Sequence, residues 1–285
     1  MYQNQDLEKV RQRIDALDNN IHDLLMERAD LIDKISEAKR KNNIQIVQPA
    51  REARMIRRLL GRHEGILPKQ AIVRIWRELV GAITLLQTGL SVSAYVPEQN
   101  SKFWDLLKNY FGSILPITKV PAATHALADV RDGKVTFAAL PWPDSQEKNQ
   151  WWSWLLNESN SELNIIVALA EEVDTAGNFS CNNAMLIVAK MGFASSEHDN
   201  SFICLETKNE VSKALILDAF KAYDMETISI HTDATEDSYK YLVEVADYVA
   251  LDDQRLDNVQ QKLSDKGLYR LRHVGGYPIP ALLTH

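Results

Sequence analysis

From Asp6 to Lys41 the chain holds neither Gly nor Pro, and apolar residues recur at Leu7, Val10, Ile14, Leu17, Ile21, Leu24, Leu31, Ile35 and Ala38. The steps alternate between three and four, which is the heptad seam of one long amphipathic helix. At about 1.5 Å per residue it runs ~50 Å, more than a small domain covers by itself, so a partner helix from a second chain is expected. Pro49 suits the first turn of a second helix over residues 50–60, with Ile56, Leu59 and Leu60 inward. A turn over 61–68 leads to a third helix, Lys69–Thr88, whose apolar face is Ile72, Ile75, Trp76, Leu79, Ile83 and Leu86.

Near Gly89 the period changes. Short apolar runs at 90–96, 114–120, 134–141, 162–170 and 183–191 read as strands, with helical segments at 101–111, 122–130 and 151–156 between them. That alternation predicts an α/β layer on a largely parallel sheet. From Ser201 the pattern becomes strand, helix (211–223), two strands, helix (256–266), then a short strand and tail, the β-α-β-β-α-β order of a ferredoxin-like fold. The expected architecture is multidomain: an all-α three-helix dimeric unit (1–89), an α/β lobe (90–198) and a ferredoxin-like α+β unit (199–285).

Composition fits a globular protein: 285 residues, 45% hydrophobic, 25% charged. The net charge of −7 argues against a nucleic-acid binder, but it is unevenly spread. Residues 1–88 carry 16 Lys+Arg against 12 Asp+Glu, and the remainder 16 against 27. The first twenty residues are polar, with no signal-peptide core, and no run approaches the ~18 apolar residues of a spanning helix. The expected compartment is the cytoplasm. Cys181 and Cys204 suggest neither a disulfide framework nor a metal site.

The candidate chemistry starts from a misfit. Arg28 stands in the seam where Leu or Ile belongs, and a guanidinium there is costly unless an anion meets it. The anion could be a protein carboxylate serving as a register device, or a ligand. Lys39, eleven residues on, points within about 20° of the same direction. Arg11 lies ~25 Å from Arg28 along the axis, reachable only from an antiparallel copy. Arg51 and Glu52 open the second helix, and Gln87 closes the third. Arg54, Arg57, Arg58 and Arg62 read as a solvated face, and His22, His63 and His125 as surface residues. Trp142, Trp151, Trp152 and Trp154 read as packing rather than as an aromatic pocket.

The stretches LEKVRQRIDALDNNIHDLLMERADLIDKISEAKRKN, VQPAREARMIRRL and IWRELVGAITLLQ resemble the all-helical chorismate mutase family. The resemblance rests on Arg11, Glu27–Arg28, Lys39, Arg51–Glu52 and Gln87. It implies an intertwined homodimer with shared sites that rearranges chorismate to prephenate without a cofactor or metal. It further implies that Arg28 and the partner chain's Arg11 bind the two carboxylates and that Lys39 and Gln87 donate to the ether oxygen. Glu52 would accept from the ring hydroxyl, and Arg51 would support the field. Gln48 stands where the family often has an acid and Ile83 where it often has a small hydroxyl residue, both as secondary contacts.

The remainder resembles prephenate dehydratase followed by the regulatory ACT domain. GKVTFAALPWPDS is similar to the family's strand-then-loop L-P-I-E-N-S, NNAMLIVAK to its T-R-F segment, and VGGYP to the ACT ending. Asn183-Ala184-Met185 lacks the T-R-F hydroxyl and guanidinium, and Trp142-Pro143-Asp144 replaces the acid–amide pair. Thr207-Lys208-Asn209-Glu210 and Ser229-Ile230-His231-Thr232 replace the effector-binding turns. The expectation is therefore a non-catalytic C-terminal module, serving in oligomerisation, in stabilising the mutase or in binding another effector. The rivals are a bifunctional mutase–dehydratase, a non-enzymatic dimeric ligand sensor, and an isochorismate pyruvate lyase on the same helical fold.

Overall fold

The structure is a computed structural model. It describes residues 2–41, 47–97, 102–144, 150–170, 179–235 and 237–280, without the side chains of residues 2–5, 33, 35–41 and 182. Three helices come first: α1 (Tyr2–Lys41), α2 (Pro49–Gly61) and α3 (Lys69–Thr88). The α1 seam is open to solvent in the single chain, from 45% exposure at Leu17 to 63% at Leu24. Two compact units emerge: Met1–Val47 with Ile83–Gly89, and Gln48–Ala82 with Leu90–His285.

The second unit contains β1 (Val92–Ala94), α4 (Lys102–Phe111), β2 (Ile117–Lys119), α5 (Ala123–Arg131) and β3 (Phe137–Pro141). Next come β4 (Asn164–Ala170), β5 (Ala184–Ala189), β6 (Asp199–Thr207), α6 (Lys213–Lys221) and β7 (Thr227–Ala234). The chain ends with β8 (Tyr239–Val245), α7 (Gln254–Ser264) and β9 (Leu268–Pro278). Trp151–Leu156 is a 3-10 helix rather than an α-helix. Ser212 and Asp253 cap α6 and α7, each accepting a backbone N–H with its side chain.

The nine strands of the described residues form one sheet, in the order β2-β1-β3-β5-β4-β9-β6-β8-β7. The β1 pairings with β2 and β3 are parallel, as expected. The β5 strand departs from the expectation by running antiparallel to both β3 and β4. A buried strand is a continuous apolar run whichever way it points, so direction leaves no mark in the sequence. The segment β6-α6-β7-β8-α7-β9 has the ferredoxin-like order, with every pairing antiparallel.

The largest departure is β9. The sequence suggests a short strand and tail, but β9 pairs with β6 along its length and with β4 at Ile165↔Gly275. The glycine pair makes this possible. Gly275 has φ +97°, and a Cβ there would collide with the Ile165 backbone. A Cβ on Gly276 would collide with the Asn200 carbonyl and the Phe193 ring. Only glycine allows so close an approach on both sides.

Among the described residues, hydrophobic cores lie on both faces of the sheet. One gathers Trp142, Trp151, Trp152, Leu155, Phe202 and Tyr277 with the apolar strand residues. Another packs α6 and α7 through Ile216, Phe220, Val259 and Leu263 against β6 and β8. Trp142, Trp151 and Trp152 are thus core residues, while Trp154 stays partly exposed. No described helix is long and apolar enough to cross a membrane.

Candidate active site

In the first unit, α1 carries Arg11, Arg28 and Lys39, and the end of α3 carries Ile83 and Gln87. Arg11 is exposed, with Glu8 3.8 Å away on the same helix face. Arg28 is half-buried, and its Nη1 is shielded from solvent. Gln87 is also half-buried and donates Nε2 to the Ile32 carbonyl at 3.3 Å, which ties the end of α3 to α1. The Lys39 side chain lies outside the described atoms.

In the second unit, Gln48 precedes α2 while Arg51 and Glu52 form its first turn. Pro49 starts the helix without needing an N–H donor there. Gln48 accepts the Glu52 backbone N–H at 3.0 Å. Arg51 is exposed. Glu52 is not: its Oε2 accepts from Arg77 Nη1 at 2.8 Å, with the two side chains 15% and 14% exposed. The Arg77 guanidinium lies over the Tyr110 ring, 4.0 Å from its centroid. Burial raises the Tyr110 phenol above its usual range, opposed by the pull of Arg77.

The expectation of a solvated arginine face on α2 is corrected at Arg57. It donates to the Ser196 carbonyl and to Ser196 Oγ (2.7 Å), and Nη1 reaches the Ile279 carbonyl at 3.4 Å. Ser196 Oγ in turn donates to Asp199 at 2.6 Å. Burial lowers the Arg57 pKa, countered by Asp199 and Glu197. Arg54 is exposed but reaches the Ser195 carbonyl at 3.0 Å. Neither arginine stood out by spacing, because their partners lie some 140 positions away in the chain.

The two stretches of the α/β region singled out by resemblance do meet. Pro141 and Met185 are cross-strand partners, and the Trp142 N–H donates to the Ala184 carbonyl at 3.0 Å. What they bring together is apolar. Ala184 is fully buried, and Trp142 packs edge-on against Phe179, Phe202 and Tyr277 at centroid distances of 5.1–5.8 Å. Beside this cluster Glu244 accepts from Tyr277 Oη at 2.5 Å, Ser229 Oγ at 2.7 Å and Asn200 Nδ2 at 3.4 Å. Burial raises the Glu244 pKa against the pull of those three donors. Desolvation likewise lowers His231, while His125 and His22 are exposed as expected. Among the described residues no cluster of His, Cys, Asp and Glu could hold a metal ion.

Residues 10–88 match the family model of chorismate mutase type II. A bifunctional chorismate mutase/prephenate dehydratase of Aquifex aeolicus is 28% identical over 141 residues, 48% of this chain and 39% of that protein. The protein of the same description from Pseudomonas aeruginosa is 27% identical over 146 residues, 50% of this chain and 40% of that protein. The chain thus spans about two fifths of the length of these relatives. Among solved structures, a prephenate dehydratase from Streptococcus mutans superposes with TM-score 0.48 at 11% identity, covering 67% of this chain and all of that one. The quorum-quenching acylase GqqA gives TM-score 0.48 at 13% identity, covering 66% of this chain and 94% of that one.

Proposed function

We propose that this chain, whose residues 10–88 form a chorismate mutase type II domain, rearranges chorismate to prephenate on the route to the aromatic amino acids. One observation carries the proposal. The family match spans the whole candidate set: Arg11, Arg28, Lys39, Gln48, Arg51, Glu52, Ile83 and Gln87.

The chemistry suits these residue types. The rearrangement is unimolecular and needs no nucleophile, metal or cofactor. It needs chorismate held in a compact conformer, which fixed cations on its two carboxylates provide. Arg28 and Arg11 of the partner subunit serve that purpose. Negative charge grows on the ether oxygen as the C–O bond breaks, and Lys39 and Gln87 are the residues assigned to donate to it. Glu52 takes the ring hydroxyl, Arg51 adds to the positive field, and Gln48 and Ile83 are secondary contacts. A homodimer with sites shared between chains is supported by the half-exposed α1 seam, which a second copy would cover. The proposal places the reaction in the cytoplasm, with no nucleic-acid or membrane partner.

The C-terminal module is proposed to be non-catalytic. Ala184 offers no hydroxyl where expulsion of the prephenate hydroxyl would need one, and Trp142 fills the neighbouring space with rings. A bifunctional mutase–dehydratase is the second reading. It is favoured by the names of the relatives and by matched stretches of 141 and 146 residues, longer than the mutase segment. Incubating the purified chain with chorismate and following its absorbance tests the mutase. Persistence of chorismate would overturn it in favour of a non-enzymatic sensor, and turnover of isochorismate alone would favour a lyase. Supplying prephenate and assaying phenylpyruvate, with and without phenylalanine and tyrosine, separates the two readings of the C-terminal module.

A further inference from the structure

We propose that the α/β region sets the position of the Glu52 carboxylate through a relay in which the Tyr110 ring holds Arg77 and Arg77 holds Glu52. The inference deepens the mutase proposal and rests on the place of Glu52 in it.

Three elements meet at one guanidinium. Glu52 lies on α2, Arg77 on α3 and Tyr110 on α4, the first helix beyond the mutase segment. The edge of the Arg77 fork bonds Glu52 at 2.8 Å while its face rests on the Tyr110 ring at 4.0 Å. A guanidinium is planar, so holding its face against a ring also fixes where its edge donors point. A carboxylate bonded to that edge is then held in direction as well as in place. Little water reaches the pair, so the attraction is weakly screened.

The neighbouring contacts dock the helices without touching Glu52. The Glu78 carboxylate accepts the Ser113 N–H at 2.9 Å and its hydroxyl at 2.6 Å. Gly81 lets α3 come against the Phe111 carbonyl. Glu78 therefore separates docking in general from the relay in particular. Sub-ångström displacement of a group that grips substrate is enough to slow a reaction, and a loosened Arg77 would give Glu52 that freedom.

Steady-state chorismate kinetics on the full chain test the relay. Tyr110→Leu should lower kcat/KM about tenfold, within the span from an exposed to a desolvated cation–π contact. Tyr110→Phe keeps the ring and should stay within about threefold. Glu78→Ala loosens the docking and should leave kcat/KM near that of the wild type. The double variant Tyr110→Leu with Glu52→Gln should be no slower than Glu52→Gln alone, because both act through one carboxylate. Should Tyr110→Leu fail to fold, Arg77→Lys, which keeps the charge and loses the planar fork, should show the same loss and the same non-additivity. Wild-type kcat/KM in Tyr110→Leu, an equal loss in Glu78→Ala, or losses that multiply in the double variant would each overturn the relay while the mutase proposal stands. A wild-type chain that leaves chorismate unchanged would overturn the mutase proposal and the relay with it.

Discussion

The backbone of Gly81 lies so close to the carbonyl oxygen of Phe111 that a single methyl group would not fit between them. Helix α3 is pressed there against the end of α4, with Arg77 and Glu78 making their contacts one turn earlier. In an open helix Gly→Ala gains about 1 kcal/mol. Here the overlap is with main-chain atoms that no side-chain rotation can move, and overpacking of this kind costs about 1–3 kcal/mol. Gly81→Ala should therefore lower the melting temperature by several degrees in a thermal unfolding scan followed by circular dichroism.

Lys39→Ala and Gln87→Ala should each cut chorismate turnover by about 10²–10³-fold, the usual cost of losing one donor to a developing oxyanion. Size-exclusion profiles should not change. Near-normal turnover in either variant would remove that residue from the role assigned to it.

Leu17 and Leu24 sit in the open stripe of α1. Replacing both by Glu puts charge where the second helix of the proposed dimer would lie, and sedimentation should then report monomer, against the dimer expected of the unaltered chain. Chorismate turnover should fall with it, since Arg11 would no longer be delivered from the partner subunit.

His273 on β9 is buried against the Phe193 ring, and neither ring nitrogen has a hydrogen-bond partner among the described residues. Burial, with Arg272 adding to it and Asp253 opposing, pushes its pKa from 6.5 to about 4. The folded state therefore holds the neutral ring, and the unfolded chain binds the proton more readily. The contribution to stability is complete above pH ~6.5 and is lost as pH falls towards ~4, on the order of 3 kcal/mol in all. His273→Phe should flatten the fall in melting temperature between pH 7 and pH 5.

The helical segment was largely legible because its signals are local. A heptad period, Pro49 at a helix start and a Gly-Pro turn between helices are each readable within a dozen residues. The bounds of α3 follow directly from them. The candidate residues were legible on α1 for the same reason: Arg28 stands out only against the seam around it. Arg77 did not stand out. Nothing in the surrounding sequence distinguishes it from the exposed arginines, and its partners lie 25 and 33 positions away. Strand direction was equally hidden at β5, and β9 read as only a short strand and tail because nothing local marks its glycines as points of close contact with β4 and β6.

The place of β9 bears on how the molecule is made. Strand β4 precedes β9 in the chain by about a hundred residues and β6 by about seventy, yet both use it as a neighbour. Until β9 is made, β4 and β6 each leave a bare edge that the finished sheet covers, with unpaired amides exposed to any other strand. The two halves thus stay separate until β9 is made and become one sheet only when it joins them, a long-range closure that is slow by nature. A ribosome stalled before Leu268 would release a chain with its mutase helices already made and two adhesive edges behind them. For this protein the dangerous interval in translation lasts until β9 has been made.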